Sequence, residues 1–267
     1  MNKKNSFMCK KYLLIIVFAL LFSCKNNLPD AENNALETKS TLSADIDRDF
    51  DFLPKASNNE IVQHEFYALS YNENFEQAEW VAYFLDGKMS RNHFDRPFFE
   101  QDPMVKTGSA DWKNYKKSGY DKGHLCAAGD MHVSKTAFDD TFLTSNISPQ
   151  LHDFNDGVWN RLEQKTRYWA EKYRGIYVVT AGVLTADLPT IGREKVAVPA
   201  FFYKILFRKT DAKMIAFLVP HHDSDKALYE FVVPVDKIER LTGLDFFPKL
   251  EDVLENDLES KSDWKAW

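Results

Sequence analysis

Ser145-Asn146-Ile147-Ser148-Pro149-Gln150-Leu151-His152-Asp153-Phe154-Asn155-Asp156-Gly157-Val158-Trp159-Asn160-Arg161-Leu162-Glu163 is the stretch on which the fold turns. Its second half opens the clearest helical pattern in the chain. Val158, Leu162, Trp169 and Tyr173 recur at helical spacing with charged residues between them, which predicts a helix over 157–172, stopped at Gly175. Asn155 stands at or just before the helix start, where Asn is a favoured cap. Its side-chain oxygen could instead ligate a hard cation, because magnesium prefers oxygen and keeps several waters. Glu163 and Arg167 lie four apart, so they share a helix face and either pair in solvent or jointly address a site.

Upstream runs Ser118-Gly119-Tyr120-Asp121-Lys122-Gly123-His124-Leu125. A histidine titrates near neutrality and can serve as a general base. Gly123 permits a turn or a close backbone approach. Asp121 could orient the imidazole or act as a cap or turn residue. Alone, the four residues Asp121–His124 read equally as a surface turn.

Around these segments the chain alternates short strand patterns with irregular runs. Val62–Tyr71 and Trp80–Leu85 are predicted strands joined by the polar loop Asn72–Gln77. Asn92–Lys117 is predicted irregular, with Pro97 and Pro103. Ile176–Val179, Val196–Phe207 and Met214–Val219 are predicted strands, and Ala227–Val232 another. Val235–Leu241 suits a short helix ended at Gly243. With strands dominant and no βαβ rhythm, the expected class is α+β with a mainly antiparallel central sheet.

The N-terminus reads as an export signal. Lys3, Lys4, Lys10 and Lys11 precede an apolar run, Tyr12–Phe22, of 11 residues, too short for an ordinary membrane span. Leu21-Phe22-Ser23-Cys24 looks like a bacterial lipobox, which would leave an acylated Cys24 and a membrane-anchored lipoprotein on the periplasmic or cell-surface side. A plain secretory signal is the alternative. The expected organisation is a signal peptide over 1–23, a flexible tether over 24–58, a globular domain over 59–250 and an acidic, peripheral C-terminal tail over 251–267.

The 267-residue chain has a formal net charge of −6, and without the four leader lysines 30 basic face 40 acidic side chains. A basic balance therefore cannot argue for a nucleic-acid partner, although a local positive groove would suffice. Lys106, Lys113, Lys116, Lys117, Arg161, Lys165, Lys172 and Arg174 are candidates for such a groove or plain surface charges. Cys9 and Cys24 belong to the leader region, so Cys126 is left without a disulfide partner; it reads as a small buried residue or a reactive thiol. His221-His222-Asp223 could suggest a metal site, but adjacent strand residues face opposite ways, so a loop suits it better. No role is assigned to His152, and His64, His93 and His132 carry no signal.

Taken together, these segments resemble the DNA/RNA non-specific endonuclease family, the endonuclease G-like ββα-metal (His-Me finger) nucleases. The family's Asp-Arg-Gly-His appears here as Asp121-Lys122-Gly123-His124. Its second block looks like Asn146–Gln150, Phe154–Trp159 and Leu162-Glu163, and an upstream arginine block is similar to Arg96–Pro103. Thr242–Phe247 also fits, so the likeness covers about 60–250.

The resemblance implies a central antiparallel sheet flanked by helices. It implies that His124 is the general base, that Asn155 ligates Mg2+ (with Mn2+ as a substitute), and that Glu163 holds metal-bound water. Asn146 would support the site by hydrogen bonding and orient the histidine. Arg96 and Arg167 would contact phosphate, with Arg91 as fallback for Arg96. DNA and RNA would be held through the phosphate backbone. Lys122, a candidate catalytic-site and groove residue by its place in the motif, departs from the family's arginine and lacks its planar fork, and Cys126-Ala127-Ala128-Gly129 stands where many relatives carry a proline. A non-catalytic nucleic-acid-binding lipoprotein of the same fold, or a phosphodiesterase of narrower substrate range, are the alternatives.

Overall fold

A computed structural model describes residues 51–55, 59–88, 92–208 and 210–267. The export signal, Cys24, most of the tether and Arg91 lie outside the described residues. The main sheet has seven strands: β1 (Glu60–Gln63), β2 (Tyr67–Asn72), β3 (Gln77–Leu85), β6 (Ile176–Gly182), β9 (Phe201–Arg208), β10 (Lys213–Pro220) and β11 (Val232–Val233), hydrogen-bonded in that order. Every neighbouring pair is antiparallel, as the α+β reading expected.

The central strands are apolar on both faces. β6 is buried along its whole length, and β9 is buried at every position after Phe201. Such strands need cover on each side, and the helix α2 (Asn160–Tyr173) supplies it on one. Leu162, Trp169 and Ala170 are wholly buried, as are Val158 and Trp159 just before the helix. Their spacing of three, four and seven forms one apolar stripe. Truncating a buried tryptophan of this kind costs about 3–5 kcal/mol. The helix ends where Arg174 turns left-handed (φ 63°) and Gly175 follows at φ 120°. A Cβ on Gly175 would meet the Phe84 ring at 2.3 Å, so glycine is required there.

Two small hairpins stand beside the main sheet: β4 (Asp121–His124) with β5 (Ile147–Gln150), and β7 (Thr190–Ile191) with β8 (Val196–Ala197). A short helix, α1 (Lys135–Asp140), lies between β4 and β5. The polar run Asp121–His124 is therefore a strand, paired with a segment more than 20 residues away. Three strand predictions change in detail. Val62–Tyr71 breaks into the hairpin β1–β2, because the chain reverses at 64–66. Val196–Phe207 breaks into β8 and β9, with Pro199 between them. Ala227–Val232 is mostly a single tight helical turn, Leu228–Phe231. The short helix α3 (Val235–Thr242) ends at left-handed Gly243, as read.

Residues 251–267 pack onto the domain rather than trailing from it. They form α4 (Asp252–Glu259) and a final turn. Trp264 and Trp267 meet the Trp169 ring edge-on at 5.4 and 5.3 Å. Lys172 Nζ donates to the Trp267 carbonyl at 3.3 Å, and the buried Arg208 guanidinium reaches the Ala266 carbonyl. The aromatic spacing, not the net charge, decides where this segment sits. Among the described residues no helix is long and apolar enough to cross a membrane.

Candidate active site

The hairpin β4–β5 leads through two short turns into helix α2. In its register His124 faces Ile147 and Gly123 faces Ser148. A Cβ on Gly123 would lie 2.2 Å from the Gln150 amide, which folds across the strand; the glycine admits that side chain. After β5 comes one helical turn, His152–Phe154, then a wide π-type turn, Asn155–Trp159, then α2. Gly157 within it has φ −90° and ψ −110°, and a Cβ there would lie 2.6 Å from Asp223 Oδ1.

These elements build a cleft of about 490 Å³ whose walls include Arg96, His124, Asn155, Asp156, Asn160, Glu163 and Arg167. Five of the seven expected site residues thus meet in one place. The imidazole of His124 packs against Phe142 (5.0 Å, edge-on) and Phe99 (5.6 Å). Its Nε2 is sealed from solvent and has no hydrogen-bond partner, which leaves Nδ1 to exchange protons with the cleft. Burial, helped by the Arg96 charge, pulls its pKa down to about 3. The ring is therefore neutral throughout the physiological range. Arg96 is exposed, with its guanidinium 5.3 Å from the Phe142 ring centroid.

Asn155 is not a helix cap. It is helical (φ −60°, ψ −50°), and its Nδ2 donates to Asp121 Oδ2 at 3.2 Å. That bond orients the amide and leaves Oδ1 for a hard cation. Asp121 also accepts from His152 Nδ1 at 2.9 Å. Asp121 thus braces the Asn155 and His152 side chains rather than the His124 imidazole, so of the open readings the ring-orienting one is not the arrangement seen.

Glu163 and Arg167 share a face, but Arg167 pairs with a residue that the sequence did not single out. Its Nη1 donates to Asp130 Oδ1 at 2.8 Å, and Tyr83 Oη donates to Asp130 Oδ2 at 2.7 Å. The Asp130 side chain is only 1% exposed. Beneath the cleft lies Lys204 of β9, fully buried, its Nζ 4.9 Å from the Trp159 ring centroid and without a hydrogen-bond partner. Burial lowers the Lys204 pKa, while Glu163 and Asp130 oppose that shift. Burial raises Glu163 to about 7, with Lys204 opposing and Asp130 reinforcing. A carboxylate poised at neutrality in a cleft is a mark of a functional site.

Two expected residues stand elsewhere. Asn146 is completely buried; its Oδ1 accepts from the Cys126 amide at 2.8 Å, and its Nδ2 donates to the Cys126 and Thr141 carbonyls. It clamps the backbone two residues beyond His124 and does not touch the ring. Lys122 lies outside the cleft walls, its Nζ 5.1 Å from the Phe99 ring centroid. Cys126 is buried, with its thiol pushed up by burial, so it packs as a small apolar residue.

His221 accepts from the Leu151 amide at Nε2 (2.7 Å) and donates from Nδ1 to the Pro199 carbonyl (2.8 Å). Both nitrogens are engaged, which makes it a neutral strut rather than a metal ligand. Of the other predicted groove cations, Lys106 pairs with Glu60, Lys113 with Asp111, and Arg161 bonds the Ser224 and Lys226 carbonyls. His132 was missed: it lines the cleft, held by the Asn92 carbonyl at 2.5 Å. An isolated histidine carries no spacing signal that could have revealed it.

A histidine-bearing strand hairpin followed by a helix carrying an amide and a carboxylate is the arrangement of a ββα nuclease. Residues 52–253 match the family model for DNA/RNA non-specific endonuclease, and the chain belongs to that family. It is 33% identical over 209 residues to mitochondrial endonuclease G of Homo sapiens, covering 72% of this chain and 70% of that protein. Nuclease C1 of Cunninghamella echinulata var. echinulata is 34% identical over 215 residues (72% and 84%). Mitochondrial nuclease EXOG of Danio rerio is 34% identical over 212 residues (72% and 62%). A chain in the crystal structure of the EndoG/EndoGI complex superposes with a TM-score of 0.67 at 29% identity, covering 75% of this chain and 89% of that one. The protein is an endonuclease, a hydrolase of nucleic acids.

Proposed function

We propose that the protein is an exported, magnesium-dependent, sugar-non-specific endonuclease that cleaves phosphodiester bonds in both DNA and RNA. The observation that carries this reading is the convergence of His124, Asn155, Glu163, Arg96 and Arg167 on one cleft. The donor set suits a hard cation. Asn155 offers an amide oxygen braced by Asp121, and so few protein ligands suit an ion that keeps its waters. Bound there, Mg2+ supplies positive charge against the extra negative charge at phosphorus and on the departing oxygen.

The chain's own groups do the rest. Neutral His124 takes a proton at Nδ1 from the attacking water. Arg96 and Arg167 hold the phosphate through charge-assisted bonds that do not depend on base identity. Glu163, ionised above about pH 7, accepts a hydrogen bond from a water in the cleft and orients it so that the water's other proton goes to the leaving oxygen. Attack by water makes the 2′-hydroxyl unnecessary, which allows both sugars. By this reading acylated Cys24 anchors the enzyme to a bacterial membrane.

Purified protein is expected to nick plasmid DNA and degrade RNA with Mg2+ and to stop when a chelator is added. Activity that survives chelation refutes the cation role. His124→Ala should lose roughly 10²–10⁴-fold in rate at an unchanged Tm; a fully active variant refutes the base assignment. Cys24→Ala should release the protein from the membrane fraction, and continued membrane association refutes the anchor.

A further inference from the structure

Away from the cleft, α3 and α4 bring carboxylates together. Asp236 and Glu239 lie three apart on α3, and Glu259 ends α4. One oxygen of each lies within 4.8 Å of the others. Two oxygens each about 2.4 Å from a cation can stand at most about 4.8 Å apart, so this spacing suits ligands of one ion. We propose that Asp236, Glu239 and Glu259 bind a calcium-class divalent cation that ties α4 to α3.

The cluster alone would not carry this. The second observation is Glu259 itself, which is only 6% exposed yet has an Oε1 without any hydrogen-bond partner. A buried charged carboxylate lacking a partner is strongly disfavoured unless it is neutralised. One turn earlier, Glu255 Oε1 is also sealed and unpartnered. The facing charges are nearly all acidic: Asp236, Glu239, Asp245, Glu255 and Asp252, with Arg240 acting on Glu239. A sealed, unpartnered carboxylate oxygen facing these acidic groups calls for a neutralising partner.

Oxygen-only donors select a hard ion over a soft one. Glu239 Oε1 accepts from the Phe246 amide at 3.0 Å, which orients that carboxylate and leaves its other oxygen for the ion. The ion would brace the segment whose Trp264 and Trp267 back the catalytic helix.

The test uses the full chain, stripped with chelator and then given CaCl2 alone at pH 7.5, with melting and titration calorimetry. Wild type and Asn155→Ala, which removes the cleft ligand, should both gain about 5–10 °C at a calcium level roughly 100 times Kd. Glu259→Gln, an isostere of the protonated side chain, should melt higher than wild type in chelator and gain nothing from calcium. Asp236→Asn should weaken binding at least tenfold. The proposal is overturned if Asn155→Ala shows neither heat nor a Tm shift, or if Glu259→Gln keeps the full shift. Shared protons alone would leave the melting temperature indifferent to calcium at every pH, and that result also overturns it.

Discussion

Asp130→Asn removes the charge that holds Arg167 while keeping the size of the side chain. Asp130 accepts from both Tyr83 and Arg167 at 2.7–2.8 Å, with its own side chain 1% and that of Arg167 23% exposed. An asparagine oxygen can accept one of these bonds well; its amide hydrogens then face a donor. Breaking a buried pair by removing one partner costs about 3–5 kcal/mol, and the retained bond places this variant near 3 kcal/mol. At roughly 2–4 °C per kcal/mol for a domain of this size, the Tm should fall by about 6–12 °C. Activity should change in a second, separable way. The Asp130 charge helps to raise Glu163 to about 7, so its removal lowers that pKa. Glu163 then ionises at lower pH, and the acid-side limb of the kcat/KM profile shifts toward acid even as the maximum falls. Melting by calorimetry and a pH–rate profile on plasmid DNA read the two effects. A Tm within 2 °C of wild type (roughly 1 kcal/mol or less) refutes the pairing energy. A limb that stays put, or moves alkaline, refutes the electrostatic coupling to Glu163.

Gly123→Ala should destabilise by about 1–3 kcal/mol, because its Cβ would overlap the Gln150 amide at 2.2 Å; denaturant melts read the loss, and Gln150→Ala in the same chain should restore most of it. Asn146→Ala removes three buried backbone clamps and should cost about 2–4 kcal/mol at roughly 1 kcal/mol per bond. Because Asn146 does not touch the imidazole, the pH dependence of the residual activity should stay where it is in wild type, and a shifted profile would contradict this.

Helix α2 was plain in the sequence because Val158, Leu162 and Trp169 repeat at its period. The hairpin carrying His124 was not, since Asp121-Lys122-Gly123-His124 has no hydropathic alternation and its partner strand lies beyond an intervening helix. His124, Asn155 and Glu163 were legible from their motif blocks, and the cleft confirms that they meet. Asp130 and Lys204 were invisible for a physical reason: each is one buried charge, and only the fold brings it to residues some 40 positions away. Lys122 shows the reverse error. Sitting two residues from His124 on the same strand, it looked catalytic, yet the Phe99 ring rather than the cleft holds it. Likewise Asn155 looked like a cap because the helix was expected to start beside it, whereas the chain is already helical there.

The wide turn over Asn155–Trp159 has a consequence in angular phase. Along an unbroken α-helix each residue advances about 100°. Glu163 would then point roughly 80° away from Asn155, and Arg167 roughly 120°, so neither could share its cleft. The kink at Gly157, with φ −90° and ψ −110°, breaks that progression, and Asn155, Glu163 and Arg167 line one cleft. Straightening that turn into regular helix with every residue kept would turn carboxylate and guanidinium away from the amide without altering any of the three. The facing of Asn155 relative to Glu163 and Arg167 is thus a separately adjustable quantity in this scaffold, and the adjustment point is Gly157.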